Sequence, residues 1–71
     1  MSRETTEFVI YIINEVANAK DQYPSKVYKA MESTGCINKY LVPYFDVLHT
    51  MSSESVVEDV IEYVKARGAD I

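Results

Sequence analysis

A chain of 71 residues is long enough for one domain, and a hydrophobic content of 48% supplies a core that a disordered tail lacks. The formal net charge of −4 argues against indiscriminate binding to nucleic acid or anionic membranes, and a lone cysteine, Cys36, excludes an internal disulfide. In so short a chain the ordering cost nearly matches what apolar burial returns, so a self-partner or a second protein is expected to add stability.

The first segment, from about Glu4 to Lys20, contains the apolar run "FVIYII". Six such residues suit a buried strand, but the longer window favours a helix. Polar or amphipathic residues recur at Glu4, Glu7, Tyr11, Asn14 and Asn18, while Phe8, Val9, Ile12, Ile13 and Val16 fill the opposite face. Ser2 or Thr5 is the expected cap. After the break "DQYPS", Pro24 and Ser25 open a second helix, with Val27, Ala30 and Met31 facing inward, and Gly35 ends it in a left-handed cap. In "CINKYLVPYFDVLHT" Asn38 is expected to cap a short helical turn. Pro43 forces a break near Val42, with helix resuming from Pro43 to about Thr50. The last helix starts at a Ser55–Glu58 capping box, or earlier at Ser52 or Ser53, and runs to Arg67. Its apolar stripe is Val57, Val60, Ile61 and Val64, and Gly68 stops it. The expected architecture is a single all-α domain over residues 1–71, built of four to five short helices.

Charge is unevenly spread: −2 over residues 1–19, +2 over 20–43 and −4 over 44–71. A free thiol suits a reducing cytoplasm. The polar opening "MSRETTE" does not resemble a signal peptide, and "FVIYII" is far shorter than the ~20 residues that span a bilayer, so no membrane role is expected.

The block "YFDVLHT", followed by "VVEDVIEYVKARG", resembles a family of small bacterial proteins catalogued as domain of unknown function 3791. The positions that carry the likeness are Tyr44 or Phe45, Asp46, Leu48, His49, Thr50, Val57, Glu58, Asp59, Val60, Arg67 and Gly68. The aliphatic first helix and "SKVYKAMESTG" are also similar, so the likeness covers nearly the whole chain, and Pro43 and Met51 depart from it. The resemblance brings no reaction with it. It implies an accessory or antitoxin-like partner of a neighbouring bacterial protein.

Asp46 and His49, three residues apart on one helix face, are the only pair suggesting acid–base chemistry. General-base catalysis also needs a substrate group in reach and a pocket of roughly 300 Å³ or more, and a small helical domain has little room for one. One histidine and one cysteine fall short of a four-ligand zinc site, and neither a metal nor another cofactor is expected. The favoured reading makes Asp46, His49 and Thr50 a hydrogen-bonded joint at a helix end. Tyr11, Tyr28, Tyr40, Tyr44 and Tyr63 are the expected protein-interaction surface, in a non-enzymatic module that also pairs as a homodimer. The rival is a helix-turn-helix contacting DNA through Lys26, Lys29, Asn38 and Lys39. Against it, Pro43 shortens the recognition helix, and no arginine lies between residues 4 and 66.

Overall fold

The computed structural model describes residues 1–71 and contains helices and turns, with no strand. The elements are α1 (Arg3–Lys20), α2 (Pro24–Ser33), a π-helical turn (Ile37–Leu41), α3 (Phe45–Leu48) and α4 (Ser53–Ala66). The long helix α1 packs against both α2 and α4, and α2 also touches α4 and the π-turn. No helix is long and apolar enough to cross a membrane.

The core is one cluster of 16 buried residues to which every element contributes. From α1 come Val9, Ile12, Ile13, Val16 and Ala17, at the spacing that places one side of a helix inward. Thr5 extends this stripe by one turn, and its hydroxyl is satisfied by the Ser2 hydroxyl at 2.8 Å. Of the two expected caps, Ser2 is the one used: its Oγ accepts from the Thr5 backbone N–H at 3.1 Å. Val27 and Met31 of α2, Cys36, Ile37 and Leu41 in and beside the π-turn, Leu48 of α3, Val56, Val57, Val60 and Val64 of α4, and Ile71 complete the packing. No buried side-chain nitrogen or oxygen lacks a hydrogen-bond partner.

The middle of the chain departs from the sequence reading. Asn38 does not cap a helix; it lies inside the π-turn with its side chain exposed. The turn closes with the Val42 N–H donating to Ile37 O at 2.9 Å, five residues back. This wider turn directs both Ile37 and Leu41 into the core. Pro43 follows at once and has no N–H to continue the ladder, so helix formation stops there. Helix resumes at Phe45, two residues later than expected, and ends at Leu48 with His49 as its cap.

At the start of α4 the sequence offers Ser52, Ser53 and Ser55 as caps. Ser52 is the cap: its Oγ accepts from the Ser55 N–H at 3.3 Å, so Ser55 sits inside the first turn and no Ser55–Glu58 box forms. That register brings Val56 into the core and leaves Ile61 only partly buried. Ser52→Ala is expected to cost about 1 kcal/mol, and Glu58→Ala less than about 0.5 kcal/mol. Urea unfolding followed by circular dichroism separates the two; equal losses would argue for the other register. Beyond α4, Gly68 takes a φ of 87° and the Ala69 N–H reaches back to Val64 O at 3.0 Å. This reversal returns Ile71 to the core, where it is 7% exposed.

Candidate functional site

Three features of the fold bear on function: the end of α3, the tyrosines and a groove beside α1. The first is the α3 end. The His49 Nδ1–H donates to Phe45 O at 2.7 Å, and the imidazole stacks on the Phe45 ring at 4.6 Å. That hydrogen bond sets the tautomer, since a carbonyl can only accept. Thr50 Oγ1 donates to Val47 O at 2.7 Å. Each side chain thus adds a second hydrogen bond to a carbonyl near the helix end that already accepts the same residue's backbone N–H, at 3.0 Å for Phe45 O and 3.2 Å for Val47 O. Asp46 takes no part: it is exposed and forms neither a hydrogen bond nor an ion pair, so the expected three-residue joint has two members. Phe45 in turn meets Phe8 of α1 edge-on at 5.5 Å, which anchors α3.

The tyrosines do not form one surface. Tyr40 and Tyr63 stack at 5.5 Å, Tyr44 joins Tyr40 at 6.1 Å, and the Arg67 guanidinium lies 3.5 Å from the centre of the Tyr63 ring. This ladder ties the π-turn to α4. Burial is the main cause holding the Tyr40 hydroxyl above its usual pKa, with the Asp59 carboxylate adding to it. Tyr11 stands apart on α1, with its hydroxyl 3.4 Å from Glu15. Tyr28 stands on α2, where the neighbouring Glu32 carboxylate raises its pKa.

The third feature is a concavity of about 370 Å³ between α1, α2 and the π-turn. Its walls are mainly Val9, Ile10, Ile13, Tyr28 and Ile37, with Glu32 and Asn38 among the polar members. The expectation that so small a domain leaves little room for such a volume is corrected here: short α2 and the wide π-turn leave one flank of α1 uncovered. Ile10, although apolar, is 53% exposed, and Tyr28 is 46% exposed. Neither Asp46 nor His49 lines this groove.

A family model described as a protein of unknown function, DUF3791, matches residues 7–67. The chain belongs to this family. No curated protein and no solved structure matches it. The DUF3791 match takes in the π-turn, the tyrosine ladder, the His49 block and all the groove residues named above.

The remaining candidates in this DUF3791 chain are the basic residues and the thiol. Lys26, Lys29, Asn38 and Lys39 are all exposed, but the expected recognition helix is the five-residue π-turn. At the far ends of α1 and α4, Lys65 lies beside Lys20, and their repulsion holds Lys20 below its usual pKa. No group of three or more His, Cys, Asp or Glu side chains is placed to hold a metal ion. Cys36 is completely buried, and that burial pushes its thiol pKa up to about 12. It is therefore expected to resist alkylation at pH 8 in the folded chain and to react at once in denaturant. Because the folded pKa is raised, the stabilisation from keeping the thiol neutral is complete below the ordinary value of 9.0 and is lost as pH climbs toward about 12. Cys36→Ala should show a shallower alkaline fall in unfolding free energy than the parent; identical pH profiles would refute this role.

Proposed function

We propose that the chain is a non-enzymatic protein-interaction module of the cytoplasm, acting as an accessory partner, with the α1–α2 groove as its binding face. The observation that carries this reading is the pairing of a concave apolar wall with exposed Ile10 and Tyr28 at its edge. A contiguous apolar concavity costs hydration free energy until something covers it, and an aromatic at its margin is typical of protein-binding surfaces. The placement of His49 supports the absence of catalysis: one ring nitrogen is committed to its own helix, and the ring lines no cavity.

Affinity capture from the native host, comparing the parent chain with Ile10→Asp, tests the reading. A host protein held by the parent and lost with the variant, whose folding is checked by circular dichroism, is the expected result. Identical captured sets would overturn it. Binding of random duplex DNA at low salt, falling steeply as salt rises, would instead favour the lysine set.

A further inference from the structure

Given the groove as binding face, its chemistry also identifies an occupant. Tyr28 and Glu32 line the groove and also a neighbouring shallow hollow that includes Lys29 and Ser33, so the apolar wall passes directly into the outer face of α2. On that face Lys29 and Glu32 are both exposed, and neither forms an ion pair within the chain, whose single ion pair is Arg3–Glu7. Their order matters. When two copies of a helix pack antiparallel about a two-fold axis, a residue i that meets j in the partner is matched by j meeting i. Centring the axis between positions 29 and 32 places Lys29 against Glu32, twice. The face is self-complementary in charge, next to apolar surface that a monomer leaves wet. A 71-residue helical unit also has much to gain from such burial.

We propose that the chain forms a two-fold homodimer through α2 and the adjoining groove. Lys29 of each copy faces Glu32 of the other, and Ile10 and Tyr28 are withdrawn from water.

Sedimentation velocity across a concentration series at low salt tests this with Lys29→Glu and Glu32→Lys. Each variant alone places like charges opposite one another at both contacts and should weaken self-association about tenfold. Mixing the two variants in equal amounts puts opposite charges across every contact and should restore a heterodimer close to parental affinity. Recovery in the mixture demands contact between chains, which a purely intrahelical effect of either substitution cannot produce. Circular dichroism confirms that both variants fold. A parent that stays monomeric, variants that associate like the parent, or a mixture that fails to recover would each overturn the dimer. A monomeric parent that still captures a host protein in an Ile10-dependent way would overturn self-pairing alone and leave the interaction reading standing.

Discussion

Leu41→Ala is expected to cost about 2–5 kcal/mol, the usual range for removing a large aliphatic side chain from a packed interior. Leu41 is completely buried, and it reaches the core from the π-turn, the least regular element of the fold. A domain of this length has roughly 4–11 kcal/mol of total stability. The loss therefore consumes a large part of it, and each kcal/mol lowers the melting temperature by about 4–8 °C. Val47→Ala, six residues on and 60% exposed, should stay within about 0.5 kcal/mol. Urea titration of both variants checks the contrast. If Leu41→Ala proves as mild as Val47→Ala, the wide turn does not direct Leu41 inward.

Gly35→Val is expected to cost about 2 kcal/mol or more, and Gly35→Asn clearly less. Gly35 holds a φ of 80° between α2 and the π-turn, a region that disfavours a β-branched side chain and that asparagine tolerates. A Cβ added there would also lie 3.0 Å from Cδ of Lys39. That neighbour is part of a flexible chain and can move, so the backbone conformation dominates the cost. Gly68 provides the comparison, with a φ of 87° and open space around it. Gly68→Asn should be nearly neutral, and Gly68→Val should show the conformational penalty alone. Thermal melts of the four variants measure the difference. A Gly35→Val protein as stable as its Asn counterpart would show that the left-handed turn is not needed there.

The hydrogen-bonded joint at the end of α3 is legible in the sequence where it depends on near neighbours. His49 and Thr50 bond carbonyls three and four residues back, as donors at a helix end are placed to do. Asp46 shares the helix but has no partner in reach, because spacing puts residues on a common face without bringing their atoms together. The tyrosines illustrate the same limit over longer distances. Tyr40 and Tyr63 lie 23 positions apart, and only the docking of the π-turn on α4 stacks their rings.

What the sequence determined by itself is therefore the local part of this DUF3791 protein. The all-helical class, most of the inward stripes of α1 and α4 and the stops at Gly35 and Gly68 follow from periodicity, capping and backbone sterics, which act over a few residues. Tertiary structure alone decided the rest. Whether residues 36–44 form a regular or a wide turn depends on Ile37 and Leu41 reaching a core that other helices supply. The groove exists because α2 and the π-turn together leave one flank of α1 uncovered, and Ile71 is buried because the chain turns back at Gly68. These outcomes arise from packing between distant segments, and packing energy is absent from any short window of sequence.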